Sequence, residues 1–259
     1  MFKDEGKIWL YLIGIVILMG LYVFTMRQVL FPFFNGDPIL DDIGADKQPP
    51  AILNPGQDYL ASLNTNYGPI LIDLYERNAP VNVNNFVYLS SKGYYNGTSF
   101  HRLVPKLLIQ GGDRNTLNDD PIDDGKGNPG YLINDEINWD SLGLSDERKE
   151  ELADDGYSSD SDIVSVGFKK YTVAMANTEA DTNGSQFFIM FADEGSPVYD
   201  EFNGKFTVIG EVIGDKSAIG AISIVELLSE NPTKALDIIT NEYRTATPII
   251  IESVTIYNQ

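Results

Sequence analysis

The amino-acid sequence predicts a mainly β domain, a closed antiparallel barrel with helical lids, preceded by one N-terminal transmembrane helix. Three observations predict this class. Short runs rich in β-branched and aromatic residues recur between turn residues along most of the chain, which is typical of a barrel. Two or three segments have the apolar period of a helix. One uncharged stretch, residues 8–26, is long enough to cross a bilayer.

The uncharged stretch 8–26 would form roughly 28 Å of helix, close to the thickness of a hydrocarbon core. A cleaved secretory signal is the alternative, but such signals have shorter apolar cores and a small-residue cleavage site, whereas bulky residues follow this stretch. Lys3 and Lys7 precede the stretch and Arg27 follows it. We therefore expect a single-pass cell-membrane protein whose large domain is extracytoplasmic.

The chain divides into a tail (1–7), the anchor (8–26), a linker (27–57) and a domain (58–259). Prolines, glycines and aspartates are concentrated in the second half of the linker, and this composition is typical of a flexible spacer. The domain begins with two predicted strands, 59–64 and 70–75, around the turn Tyr67-Gly68-Pro69.

A helix is predicted over 81–91, with Asn78 as its N-cap, Pro80 in its first turn and Gly93 as its stop signal. Later strands are predicted at 172–176, 186–191, 206–212 and 248–257. A second helix is predicted within 216–228, and 233–241 is a candidate for a short third one.

An acidic insertion, about 114–170, interrupts this pattern. Between Asp113 and Asp162 there are 16 acidic and 4 basic residues. Ser145 precedes two acidic residues and starts a predicted helix that ends near Gly156. The aspartates of 154–162 resemble a calcium loop, but they lack the ligand order of an EF-hand. A solvated acidic loop is the simpler interpretation.

Composition restricts the possible functions. The whole chain has 38 acidic and 18 basic residues, a net charge of -20, which disfavours nucleic-acid binding. It has no cysteine and one histidine, His101, so thiolate nucleophiles, disulfides and His-rich metal sites lack their residues. We expect neither a metal nor a cofactor.

Two polar residues stand within or beside apolar strand patterns, Arg102 and Gln110. Such groups must be paired or must line a cleft. On spacing alone Arg102 is also compatible with an ordinary surface arginine, and His101 with a packed core histidine. Gly111-Gly112 allows a sharp bend but is not a phosphate loop, because no Gly-Lys-Ser/Thr follows.

Four motifs resemble the cyclophilin family: Phe100-His101-Arg102, the Gln-Gly-Gly-Asp run 110–113, Met175-Ala176-Asn177, and the Asn-Gly-Ser-Gln-Phe-Phe-Ile run 183–189. The resemblance extends from about Tyr59 to Tyr257, and Gly130-Tyr131 and Asp135-Glu136 are similar to bacterial-type members. It implies a closed eight-stranded barrel with a groove on its outer face. It also implies peptidyl-prolyl cis-trans isomerase activity in protein folding.

The resemblance further implies the roles of individual residues. Arg102 matches the catalytic arginine, and Gln110 matches the glutamine that places it. The implied substrate-binding residues are Phe100, Leu107, Leu108, Ala176, Asn177, Gln186, Phe188 and Phe206. Two positions depart from the family pattern: Leu107 replaces a common aromatic, and Glu201 or Tyr199 replaces the cyclosporin-contacting tryptophan.

The implied partners are unfolded or exported proline-containing polypeptides, together with the membrane that holds the N-terminal helix. Nucleic acid is not among them. Two other functions stay open at this stage. One is a binding module that holds proline-containing segments without useful turnover, and the other is a scaffold recruited to a membrane complex through its acidic insertion.

Overall fold

The computed structural model describes residues 48–118, 120–214, 220–223, 225–226, 234–237, 242–244 and 248–258. The predicted tail, anchor and most of the predicted linker lie outside these residues. Within the described ranges, no helix is both long enough and apolar enough to cross a membrane.

The described residues contain ten strands and three α-helices with defined bounds. The strands are β1 (Tyr59–Thr65), β2 (Gly68–Leu74), β3 (Arg102–Val104), β4 (Leu108–Gly111), β5 (Thr172–Met175), β6 (Phe187–Met190), β7 (Val208–Ile213), β8 (Lys234–Asp237), β9 (Glu242–Arg244) and β10 (Ile251–Asn258). The helices are α1 (Pro80–Ser91), α2 (Asp146–Asp154) and α3 (Val198–Phe202), with a 3-10 turn at Arg114–Leu117. Residues 220–223 and 225–226 are also helical.

All ten strands join one antiparallel sheet in the order β10-β1-β2-β7-β5-β6-β4-β3-β9-β8. The sheet of the described residues is an open half-barrel. The expectation of a closed eight-stranded barrel is therefore wrong. The reason lies at β3, whose outer edge pairs with β9 rather than with β10. Ser99 and Ile250 form only an isolated bridge between the segments that precede β3 and β10.

The six predicted strands and the first helix are confirmed, and each of their ends lies within three residues of its predicted position. The N-cap prediction at Asn78 is wrong. Ala79 occupies the cap position without a side-chain hydrogen bond, and the Asn78 side chain donates instead through Nδ2 to the Val164 carbonyl at 2.5 Å. The free amides of the first turn donate to the carboxylate of Glu136, from Val81 at 3.0 Å and from Asn82 at 2.8 Å. A distant carboxylate thus caps α1.

The helix in the acidic insertion is confirmed. Ser145 caps α2 by accepting from the Arg148 amide, and Asp146 and Glu147 occupy the first turn. The candidate helix over 233–241 is wrong, because residues 234–237 form strand β8 paired with β9. A helix this short nucleates poorly on its own, whereas a hairpin added to a sheet gains partners for its backbone groups.

Candidate functional site

A transverse row of side chains crosses three adjacent strands and continues onto a fourth. Arg102 of β3 lies opposite Gln110 of β4, Gln110 lies opposite Phe188 of β6, and Phe188 lies opposite Ala174 of β5. Residues directly opposite in a sheet share a face. Two residues distant in sequence, Arg102 and Phe188, are therefore brought to the same surface on either side of Gln110.

A chain of hydrogen bonds fixes the polar part of this row. The Arg102 guanidinium donates through Nη1 to Gln110 Oε1 at 2.9 Å. Gln110 Nε2 in turn donates to Gln186 Oε1 at 2.9 Å. Gln186 Nε2 donates to the carbonyls of Gly125 and Gly127 at 3.0 and 2.8 Å. Each amide is oriented by the next, so the guanidinium is held in a defined place.

The loop at the end of this chain is itself held by Asp113, which is fully buried. Its Oδ2 accepts hydrogen bonds from the amides of Gly125 and Gly127. Gly112, just before it, has φ +87°, and a Cβ there would meet the Ser185 carbonyl at 2.6 Å. The Gln-Gly-Gly-Asp run is thus explained by close backbone approach and by a buried anchor for the loop.

An apolar cluster adjoins Arg102 and Gln110 on the same face. Five of the predicted substrate-binding residues belong to it: Leu107, Leu108, Ala176, Phe188 and Phe206. The Phe188 ring lies 5.3 Å from that of Phe206, 5.8 Å from that of Phe202 and 6.0 Å from that of Phe168. Phe188 is only 2% exposed. The cluster therefore offers an apolar, aromatic floor beside a cationic group.

Leu107 reaches this cluster from the tight turn between β3 and β4. The Leu107 amide donates to the Val104 carbonyl at 3.0 Å. Pro105 and Lys106 occupy the central positions, and Lys106 has φ +59°. Proline followed by a residue with positive φ is the pattern of a type II turn. The turn places Leu107 at the border of the apolar cluster.

A cavity of about 350 Å³ opens on the other side of Gln110. Three predicted residues line it: Asn177, Gln186 and Ala176, which also packs against the apolar cluster. The Asn177 side chain donates to Asp135 Oδ1 at 3.1 Å and to the Lys205 carbonyl at 3.0 Å. Burial raises the pKa of Asp135 above its ordinary value, although three hydrogen bonds oppose this change. The site thus has two halves, this cavity and the apolar cluster, on either side of Gln110.

Phe100 is placed apart from these groups. It is 4% exposed, and its ring packs edge to face on that of Phe187 at 6.0 Å. Phe187 and Phe188 are consecutive on β6, so their side chains point to opposite faces of the sheet. Phe100 therefore lies on the face opposite the Phe188 cluster. His101, also buried, agrees with the interpretation of a packed core histidine.

The two positions considered for the missing tryptophan differ in environment. Tyr199 is buried in the apolar cluster, and its hydroxyl donates to the Ala192 carbonyl at 2.5 Å. Glu201 is exposed. Sequence reasoning assigned no role to Phe202 or Phe168, because both lie in segments with few family motifs. Asp113 ends the Gln-Gly-Gly-Asp motif, but its role as a buried anchor depends on loop contacts that periodicity does not reveal.

Comparison with known proteins agrees with this geometry. The profile of the family described as "Cyclophilin type peptidyl-prolyl cis-trans isomerase/CLD" matches residues 60–243. Peptidyl-prolyl cis-trans isomerase A of Mycobacterium tuberculosis is 33% identical over 211 residues, which cover 76% of this chain and 91% of that protein. The human peptidyl-prolyl cis-trans isomerase-like 1 is 32% identical over 183 residues, covering 71% and 89%.

Solved structures show the same fold. A Cryptosporidium parvum cyclophilin-type isomerase superposes with a TM-score of 0.53 at 24% identity, covering 78% of this chain and 99% of that one. A crystal structure of the same protein in the presence of the dipeptide Ala-Pro gives a TM-score of 0.52 at 25% identity, covering 77% and 99%.

Proposed function

Because the chain belongs to the family of cyclophilin-type peptidyl-prolyl cis-trans isomerases, we propose that it accelerates isomerisation of X-Pro bonds in unfolded or exported polypeptides, with Arg102 as the catalytic group. The observation that carries the proposal is the juxtaposition of the Arg102–Gln110–Gln186 hydrogen-bond chain with the apolar cluster around Phe188. Proline has an apolar ring and a nitrogen that changes its bonding during rotation, so its recognition needs both features.

The reaction is slow without catalysis because amide resonance must be broken, with a barrier of about 18–20 kcal/mol. In the twisted transition state the proline nitrogen is pyramidal and has a free lone pair. A guanidinium N–H that donates to this nitrogen stabilises the twisted state more than the planar one, which is the condition for catalysis. Gln110 fixes the guanidinium before substrate arrives, so little reorganisation is needed.

The two halves of the site divide the substrate between them. The apolar residues Leu107, Leu108, Phe188 and Phe206 hold the proline ring. The chain that precedes the proline extends along the cavity beside Gln110, where Ala176 and the backbone of Asn177 bind it. Ring burial keeps the reacting bond in surroundings of low polarity, which strengthens the Arg102 interaction. The reaction as proposed uses neither a metal nor a cofactor.

The location of the activity is a separate proposal. The uncharged residues 8–26 anchor the chain in a membrane, the linker 27–57 separates the domain from the surface, and the domain is extracytoplasmic. Lys3, Lys7 and Arg27 support this orientation. The bacterial-type character suggested by Gly130-Tyr131 and Asp135-Glu136 is part of the same proposal.

The test is isomerase activity of the full chain, purified in detergent, on a short X-Pro peptide. We expect Arg102→Ala to lower kcat/KM about 100-fold or more, as for loss of one transition-state donor. Arg102→Lys keeps the charge but not the forked geometry and should recover little activity. Arg77→Ala is the matched control, because Arg77 is exposed and pairs with Asp58 at 2.8 Å.

Two results would overturn the proposal. Unchanged activity in Arg102→Ala would remove Arg102 from the mechanism. A folded wild-type chain that binds the peptide without accelerating isomerisation would instead support the alternative function, a proline-peptide binding module. The substitutions at Leu107 and Glu201 are the features of this chain that motivate that alternative.

A further inference from the structure

The acidic insertion contains a small core of its own. Ile137, Trp139 and Leu152 are buried together, and Leu142, Leu144 and Tyr157 pack around them. The ends of this segment are tied within it, since the Trp139 amide donates to Ser159 Oγ at 3.0 Å and the Asp160 amide to the Ile137 carbonyl at 2.7 Å. Residues 137–168, which we call the platform, are therefore a folded unit rather than a solvated acidic loop.

One side of the platform contacts residues 201–206, which we call the pocket loop. The Arg148 guanidinium donates to the Glu201 carbonyl at 3.0 Å, and the Trp139 indole N–H donates to the Gly204 carbonyl at 3.3 Å. Three other contacts join the same two segments: the Phe168 amide with Asn203 Oδ1 at 3.0 Å, Lys205 with Asp155 at 2.8 Å, and Lys205 over the Tyr157 ring at 5.6 Å.

Packing at Gly204 shows how closely the two segments fit. Gly204 has φ +90°, and a Cβ there would meet Leu152 Cδ1 at 2.5 Å and Leu144 Cδ1 at 2.9 Å. Both leucines belong to the platform core. The pocket loop thus rests on an apolar surface that leaves no room for a side chain at this point, and its carbonyls are held from the same side.

The pocket loop carries two aromatic residues of the candidate site. Phe202 and Phe206 lie 5.0 Å apart, and both pack against Phe188. Phe168, at the end of the platform, stacks on Phe188 and meets Phe202 edge to face at 5.6 Å. Any shift of the pocket loop would therefore move two walls of the apolar cluster, while Arg102 and Gln110 are held by a different loop.

We propose that the platform is a positioning element for proline binding, in which Trp139 and Arg148 hold the pocket loop and thereby set the affinity for proline-containing peptides. The proposal rests on the proposed function, since it concerns the same site. It predicts that two parts of the molecule control different kinetic constants. The platform governs KM through the apolar walls, whereas the Arg102–Gln110 chain governs kcat.

The test uses the full chain with Trp139→Phe, Arg148→Ala and Arg148→Lys. Phenylalanine keeps ring packing in the platform core but lacks the indole N–H. We expect Trp139→Phe and Arg148→Ala each to raise KM for an X-Pro peptide about three- to tenfold, the effect of one lost hydrogen bond, with kcat changed less than about twofold. Arg148→Lys should restore part of the loss.

Lys149→Ala is the matched control. Lys149 neighbours Arg148 on α2, but its ion pairs with Asp140 and Asp146 stay within the platform, so KM should not change. A second readout uses Trp9→Phe, which leaves Trp139 as the only tryptophan. Its emission should change on titration with the peptide, and the midpoint gives Kd for comparison with the KM values of the variants.

Unchanged KM in folded Trp139→Phe and Arg148→Ala would overturn the platform proposal, whereas the proposed function would stand if Arg102→Ala is inactive. If the wild type does not isomerise the peptide, the proposed function fails. The same variants are then compared by calorimetric Kd for the peptide. A raised Kd would still support the platform, and an equal Kd would overturn it.

Discussion

Two aromatic clusters lie on opposite faces of strand β6, and they begin at consecutive residues. Phe187 points to one face, where it meets Phe86 of α1, Tyr95 and Phe100 at 5.6 to 6.0 Å. Phe188 points to the other face, where it meets Phe168, Phe202 and Phe206 at 5.3 to 6.0 Å. The two residues have the same side chain and nearly the same burial, 0% and 2% exposed.

The difference lies in what surrounds each cluster. The Phe187 cluster is completed by helix α1 and by fully buried tyrosines. The Phe188 cluster borders the polar row of Arg102 and Gln110 and is walled by a loop and a turn. Burial and residue type therefore do not distinguish Phe187 from Phe188, for which a role in proline binding is proposed. The chemistry of the adjoining side chains does.

The largest expected effect follows from Phe187→Ala. This change removes a fully buried ring that contacts the rings of Phe86, Tyr95 and Phe100. The free energy of unfolding should fall by about 3–5 kcal/mol, measured by denaturant unfolding followed by circular dichroism. The kcat/KM of the fraction that remains folded should stay close to wild type. A loss under about 1 kcal/mol would mean that the two clusters are not energetically distinct.

Phe188→Leu is the counterpart on the other face. Leucine keeps an apolar side chain of similar volume, so the unfolding free energy should fall by less than about 1.5 kcal/mol. The ring contacts with Phe202 and Phe206 are lost, and we expect kcat/KM to fall about tenfold, mainly through KM. If stability falls steeply while KM is unchanged, Phe188 is a core residue and not part of the proline site.

A smaller effect, on the pH dependence of stability, is expected at Glu136, which connects α1 with the segment next to the pocket loop. Its carboxylate caps α1, and its backbone amide donates to Thr207 Oγ1 at 2.9 Å, next to the pocket loop. Burial raises the pKa of Glu136 above its ordinary value of 4.5. The folded state therefore binds this proton more tightly than the unfolded state does. The resulting stability is present below pH 4.5 and is lost as the pH rises through the raised pKa.

Glu136→Gln removes this titration while keeping a side-chain oxygen that can accept from α1. The wild type should thus lose unfolding free energy relative to the variant as the pH rises above about 4.5. Parallel denaturant titrations of both proteins over the acidic range measure the difference. A difference independent of pH would show that hydrogen bonds from α1 offset the cost of burying the charge.

Local sequence patterns predicted part of the structure around the candidate site. Periodicity predicted the strand that carries Phe188, whereas no strand was predicted at Arg102 or Gln110, which the family motifs singled out and which lie on β3 and β4. The cap of α2 at Ser145 was also predictable, because the capping residue and its helix are adjacent in sequence. The cap of α1 was not, since Glu136 lies 55 positions from Val81.

The sequence by itself determined six of the ten strands in the described residues and singled out Arg102 and Gln110 as polar residues among apolar ones, because periodicity and turn chemistry are local properties of the chain. Only the tertiary structure decided that the sheet stays open at β3, that Phe100 faces away from Phe188, and that the platform supports the pocket loop. Each of these depends on contacts between residues far apart in sequence, where the choice of partner is made by packing and not by local preference.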